Sequence, residues 1–182
     1  MSASHPGSAP RSAARVLADG LTVLRGALGL PLLLALRGHW DGVAWGLLLF
    51  GGLSDAVDGW LARRSGGGSI WGARLDPLTD KLLISAPLLW LGAAGRLPLV
   101  AVWLLLAREL LVSGWRAQQD SGGPASSGGK VKTILQFLSL LLLLWPPLWP
   151  GSSWAWSVGW WLFWPSLALA FTSAVGYLRK GG

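Results

Sequence analysis

Eight acidic residues occur in this 182-residue chain, and four of them fall between positions 55 and 80. They stand in two runs, Ser54-Asp-Ala-Val-Asp-Gly-Trp-Leu-Ala-Arg63 and Gly72-Ala-Arg-Leu-Asp-Pro-Leu-Thr-Asp80. Asp55 and Asp58 are spaced i, i+3, and Asp76 and Asp80 i, i+4, so on helices each pair shares a face. Each run closes or opens an apolar stretch, where an ionisable group is costly unless it is paired or bound to metal. Four bare carboxylates drawn together would repel strongly in a low dielectric. Divalent cations remove that conflict, and ligation by oxygen alone favours Mg²⁺, Mn²⁺ or Ca²⁺. With this many carboxylates two ions are expected, an arrangement suited to in-line displacement at phosphorus. Gly59 and Ala62 continue the face of Asp55 and Asp58 and clear space beside it, and Gly72 does the same at the entry to the next apolar stretch. Arg63 stands where it could meet a phosphate.

A second set is basic. Arg108 is embedded in an apolar run and needs an anionic partner there. Arg116 lies eight residues on, about 80° around a helix axis from it. Lys130 and Lys132, two apart, face different ways on a helix, so one of them is expected to reach a site. Together Arg108, Arg116, Lys130 and Lys132 could bind the phosphate of a second substrate. The alternative is that Glu109 partners a neighbouring arginine, and spacing alone leaves that choice open.

Composition defines the elements that carry these residues. The chain is 52% hydrophobic and 13% charged, against about 25% charged for an average soluble domain. Too few polar residues remain to cover a single aqueous core. Cysteine is absent, which excludes disulfides and thiol chemistry. The fold class expected is an all-α integral membrane protein with six transmembrane helices, near 16–36, 42–61, 75–94, 97–115, 131–149 and 154–178, each about 20 mainly apolar residues. Residues 1–12 are expected to be a disordered tail and 13–182 one six-span domain. No cleaved leader is expected, since Arg25 interrupts the first apolar segment. With six spans, ten basic residues (Arg11, Arg15, Arg63, Arg64, Arg74, Arg116, Lys130, Lys132, Arg179 and Lys180) share one side, and only Arg37 and Arg96 the other. That bias places both termini and the acidic runs on the cytoplasmic side. The net charge of +7 is thus a topology signal, and no nucleic-acid partner is expected. The 14 tryptophans are expected at the interfaces or facing lipid. His5 and His39 carry no expected role. Lys81 is expected to snorkel or to pair with a carboxylate.

The spacing Asp55-x2-Asp58-Gly59-x2-Ala62-Arg63-x8-Gly72-x3-Asp76-x3-Asp80 resembles, at every fixed position, the signature of the CDP-alcohol phosphatidyltransferase family. The six-span pattern extends the resemblance over nearly the whole chain. It implies that Asp55, Asp58 and Asp76 ligate two Mg²⁺ or Mn²⁺ ions, that Asp80 is both ligand and general base, and that Gly59, Ala62, Arg63 and Gly72 form the CDP site. It also implies CDP-diacylglycerol as donor, a homodimer, and a site at the cytoplasmic face of a bacterial cell membrane. Ala107-Arg-Glu-Leu-Leu-Val-Ser-Gly-Trp-Arg116, Gly129-Lys-Val-Lys-Thr-Ile-Leu-Gln136 and Leu21-Thr-Val-Leu-Arg25 resemble the family's bacterial branch that accepts sn-glycerol 3-phosphate. The chain departs from that branch at Ala18-Asp19, where Pro-Asn is expected, so no cytidine contact is carried to these positions. Rival acceptors are phosphatidylglycerol, inositol phosphate and serine. Rivals outside the family are an intramembrane prenyltransferase, whose acidic motifs lie in separate halves of the chain, and an ion transporter, whose acids lie near mid-membrane on broken helices.

Overall fold

The structure, a computed structural model, describes residues 13–64, 70–117 and 127–180. Within them lie six helices: α1 (Ala13–Arg37), α2 (Asp41–Arg64), α3 (Ile70–Ala93), α4 (Leu99–Ala117), α5 (Ser127–Leu143) and α6 (Ser152–Lys180). Each expected segment is thus a helix. The fifth was expected to run to Trp149, but α5 stops at Leu143. Pro146 and Pro147 explain the difference: proline lacks an amide hydrogen, and the residue before it is pushed out of the α region. The chain turns there instead, with Trp149 N donating to Pro146 O at 3.0 Å. The expected tail, 1–12, lies outside the described residues.

The turns are closed by left-handed residues. Gly95 has φ 69°, and Arg96 N donates back to Leu91 O at 2.8 Å. Glycine adopts this conformation without a Cβ penalty. His39, at φ 57°, plays the same part after α1, where Trp40 N donates to Ala35 O at 2.9 Å. Its role is conformational. The Arg96 guanidinium lies 4.9 Å from the Trp156 ring centroid and 5.7 Å from that of Trp90, which ties the α3–α4 turn to α6.

Helix α1 packs along both α2 and α3, while α2 and α3 meet over only a short stretch. Helices α5 and α6 form a close pair, α4 joins α3 to α6, and α2 leans on α5. Glycines permit the tightest crossings. A Cβ at Gly159 would stand 2.9 Å from Leu143 N, and Ser139 Oγ donates to Gly159 O at 2.7 Å. Gly52 faces the Phe137 ring, leaving no room for a side chain. The core is leucine-rich, with Leu32, Leu48, Leu88, Leu105 and Leu140 fully buried around Phe163. Trp45, Trp145 and Trp149 pack edge-to-face with centroids 5.3–5.5 Å apart, and Trp45 Nε1 donates to Leu141 O at 2.9 Å. These three hold α2 to the α5–α6 turn, a packing role beyond the interfacial one expected of the tryptophans.

The outer surface is apolar as well. Leu30, Val100, Leu111 and Trp161 are 66–74% exposed, among many other exposed leucines, valines and tryptophans. Among the described residues no helix is long and apolar enough to cross a membrane. Helix α5 has only 17 residues, and α4 carries Arg108 and Glu109 in its interior.

Candidate active site

The two acidic runs fall on α2 and α3. Asp55, Asp58, Gly59, Ala62 and Arg63 belong to α2, and Gly72, Asp76 and Asp80 to α3. Their side chains lie outside the described residues, so the site is built here from the backbone and from the side chains around it. Three contacts fix the register. Gly51 of α2 receives the Leu83 side chain of α3, which is buried. Arg25 of α1 is buried, and its Nε lies 3.5 Å from Ser54 Oγ on α2. Gly26 lies against Thr79 of α3, where a Cβ would be 2.8 Å from Thr79 Cγ2. Ser54 and Thr79 immediately precede Asp55 and Asp80. Consecutive residues of α1 therefore touch both acidic helices at the level of their first and last aspartates.

Helical periodicity supplies the rest. Gly51, Asp55 and Asp58 follow one stripe of α2, and Leu83, Asp80 and Asp76 one stripe of α3. The Gly51–Leu83 contact places Asp55 and Asp80 one turn beyond the point where the helices meet, with Asp58 and Asp76 a further turn out. A two-helix hairpin is expected to gather the four acids, and the helices that carry them, α2 and α3, are each packed along α1. Ser54 is buried and donates to Gly51 O at 2.7 Å, which braces α2 just before the first aspartate. Oxygen donors at every acidic position, with no cysteine in the chain, fit a hard divalent cation.

The basic set is only partly described. The Arg116 and Lys130 side chains lie outside the described residues, although both positions are helical, on α4 and α5. Arg108 and Lys132 are buried. Arg108 donates from Nε to Ala170 O at 2.7 Å, from Nη2 to Ser173 Oγ at 2.6 Å, and from Nη1 to Glu109 Oε1 at 2.9 Å. Lys132 Nζ donates to the same Glu109 oxygen. Of the two readings left open for Glu109, its pairing with the neighbouring arginine is present. Lys132, one of the two lysines from which a site residue was expected, turns inward. Helix α3, which carries Asp80 and Lys81, packs against α4, which carries Arg108 and Glu109.

Two side chains near the site have no role in the sequence reading. Arg25 there only interrupts an apolar segment and forms part of a resemblance, yet it is 1% exposed and sits beside the acidic level. Its signal was the one given to Arg108, a lone cation in an apolar run. Ser173, which receives Arg108, had no comparable signal, because serine is unremarkable in a small-residue helix.

The profile of the CDP-alcohol phosphatidyltransferases matches residues 15–172. A protein of Mycobacterium tuberculosis described as a probable phosphatidylglycerophosphate synthase is 39% identical over 138 residues, 71% of this chain and 66% of that one. A CDP-diacylglycerol–glycerol-3-phosphate 3-phosphatidyltransferase of Rickettsia felis is 38% identical over 104 residues, covering 54% and 58%. One of Shigella flexneri is 33% identical over 140 residues, covering 69% and 71%. The match thus spans slightly under two thirds of the first of these relatives and less of the second. The phosphatidylinositol phosphate synthase of Mycobacterium tuberculosis, solved with CDP-DAG bound, shares the fold at TM-score 0.60 and 22% identity over 91% of this chain and 89% of that one. With the signature divided between two helices that a third holds in register, and the profile matched from the first helix into the last, the chain belongs to the CDP-alcohol phosphatidyltransferase family.

Proposed function

We propose that the protein transfers the phosphatidyl group of CDP-diacylglycerol to sn-glycerol 3-phosphate, giving phosphatidylglycerophosphate and CMP. The observation that carries this reading is the register of the acidic signature across α2 and α3, set by Arg25–Ser54, Gly26–Thr79 and Gly51–Leu83. The names of the relatives support the acceptor.

In this reading Asp55, Asp58, Asp76 and Asp80 hold two divalent ions, Mg²⁺ or Mn²⁺. When bound, these neutralise charge on the diphosphate and on departing CMP. Gly59, Ala62 and Gly72 leave room for the cytidine diphosphate beside the helices, and Arg63 meets its phosphate. Asp80 takes the proton of the acceptor hydroxyl, whose oxygen forms the new bond to the phosphorus that carries diacylglycerol as the bond to CMP breaks. No covalent intermediate with the protein is needed. The cations near α4 and α5 bind the acceptor's own phosphate. CMP release is measured with glycerol 3-phosphate, phosphatidylglycerol, inositol phosphate, serine and glycerol as acceptors. Glycerol 3-phosphate should be fastest, and serine and glycerol poor. Each charge-assisted hydrogen bond contributes about 1.5–3 kcal/mol. Arg116→Ala should therefore raise the KM for glycerol 3-phosphate roughly ten- to a hundredfold and leave that for CDP-diacylglycerol nearly unchanged. Faster release with phosphatidylglycerol or inositol phosphate would overturn the acceptor while leaving the donor chemistry standing.

The protein works, in the same reading, as a six-span homodimer in a bacterial cell membrane. The exposed apolar side chains support this: Val23, Leu30, Leu34, Trp103, Leu111 and Trp161 are 58–74% exposed, as lipid-facing side chains would be. The basic bias places the acidic site on the cytoplasmic side. A cysteine introduced at Ser126 should react with an impermeant thiol reagent only after the membrane is opened. Labelling in intact cells would reverse the topology.

A further inference from the structure

Arg108 was grouped with the cations that would bind the acceptor's phosphate, but its surroundings give it another task. Each of its three nitrogens is engaged, and the residue is only 8% exposed. Two of the contacts, to Ala170 O and Ser173 Oγ, lie on α6 and fix the plane of the guanidinium against that helix. The third edge presents Nη1 to Glu109, and the same carboxylate oxygen receives Lys132 of α5. The chain of contacts runs from α6 through Arg108 and Glu109 on α4 to Lys132 on α5. Each link fixes the next. A planar guanidinium held at two points can aim a carboxylate as a flexible ammonium cannot. The carboxylate holds Lys132 while occupying only part of its donor capacity, since an ammonium has three N–H groups. Lys132 is 5% exposed, and Gln136 one turn along α5 is also buried, so this ammonium sits inside the protein and needs a built partner.

We infer that Arg108 and Glu109 are positioning residues that hold Lys132 for the acceptor's phosphate, and that Arg108 does not itself touch the acceptor. The inference rests on the proposed acceptor chemistry and reassigns roles within it. Glu109 spaces the two cations and supplies the negative charge that lets both stay buried, and the approaching phosphate uses the remaining donors of Lys132. The carboxylate beside the ammonium weakens phosphate binding electrostatically, but it removes the freedom of a four-carbon side chain.

A double-mutant cycle separates aiming from direct contact. Arg108→Gln, Lys132→Ala and the combined variant are assayed for CMP release, with the two KM values and kcat determined separately. Losing one charge-assisted contact should raise the acceptor KM roughly ten- to a hundredfold in Lys132→Ala. Arg108→Gln alone should raise it by about tenfold, and the double variant should match Lys132→Ala within about twofold, because residues acting through one another are not additive. The KM for CDP-diacylglycerol should stay within about threefold of the unsubstituted enzyme throughout. Ser173→Ala keeps every charge and loosens only the guanidinium. It should raise the acceptor KM about two- to threefold, and it carries the test if Arg108→Gln does not fold. Multiplying effects of Arg108→Gln and Lys132→Ala would mean that Arg108 binds the acceptor directly. An equal rise in both KM values would reduce the relay to a packing role. Either result overturns the inference. If phosphatidylglycerol or inositol phosphate is the better acceptor, the functional reading fails first, and the same cycle run on that acceptor still decides the relay. A protein inert toward all three phosphorylated acceptors overturns both.

Discussion

Asp58→Asn and Asp76→Asn should each abolish nearly all CMP release, and chelation of divalent cations should do the same to the unsubstituted protein. The amide keeps the size of the carboxylate but removes its charge and turns an N–H₂ donor toward the cation. In the proposed reading two divalent cations would balance the charge of four carboxylates, and a site with one carboxylate fewer would bind them more weakly and let them move. Metal assistance of phosphoryl displacement supplies several kcal/mol, and about 4 kcal/mol is roughly a thousandfold in rate. The register supports treating these two residues alike: Asp58 and Asp76 occupy the same outward level, one turn beyond Asp55 and Asp80, so loss of either opens the same side of the site. The assay is CMP release after chelation, followed by addition of Mg²⁺, Mn²⁺ or Ca²⁺, with helical content measured alongside to exclude unfolding. Full activity in excess chelator would refute the metal chemistry. Restoration by Mg²⁺ or Mn²⁺, and no restoration when Zn²⁺ is added in a parallel sample, would agree with an all-oxygen donor set.

The parts of this protein that were legible in its sequence are those governed by local rules. Six apolar stretches gave six helices because each is bounded by glycine, proline or charge. The largest boundary shift, at Leu143, came from reading Trp145-Pro146-Pro147 as apolar when the backbone rule for proline outweighs the side chains, while α3 and α5 each begin four or five residues before the apolar stretch. The acidic spacing was legible for the same reason, since i, i+3 and i, i+4 are properties of a single helix. What could not be read was long-range. That Gly26 admits Thr79, and that Gly51 admits Leu83, depends on which helices pack together, and a glycine in an apolar helix looks alike whether it faces lipid or a neighbour. The pairing of Arg108 with Ala170 and Ser173 spans more than 60 residues of sequence, so its direction had no local signal. The pairing of Lys132 with Glu109 joins α5 to α4 across 23 residues, and it likewise had no local signal.

Asp80→Asn should separate proton transfer from donor binding. The α3 turn that carries Asp80 is held on both sides: Thr79 lies against Gly26 of α1, and Leu83 fills the space above Gly51 of α2. A base must be held near the proton it removes, and displacement of about 1 Å can cost a hundredfold in rate. Asp80 shares with Asp55 a flanking contact to α1 and one across the α2–α3 crossing, which supports a residue whose placement matters as well as its charge. General-base catalysis contributes roughly 10²–10⁴-fold. In Asp80→Asn, kcat should therefore fall by about that factor, while equilibrium binding of CDP-diacylglycerol in the presence of Mg²⁺ weakens only a few-fold. Three carboxylates remain for the metals, so the donor still has its anchor. Asp80→Glu keeps the base and lengthens it by one methylene. It should recover part of the lost turnover, because the proton acceptor is present but displaced. If Asp80→Asn weakens donor binding as much as it slows turnover, Asp80 is chiefly a metal ligand, and the proton must leave by another route. If Asp80→Glu is no better than Asp80→Asn while both bind donor normally, position dominates, and the turn clamped between Gly26 and Gly51 is what the chemistry requires.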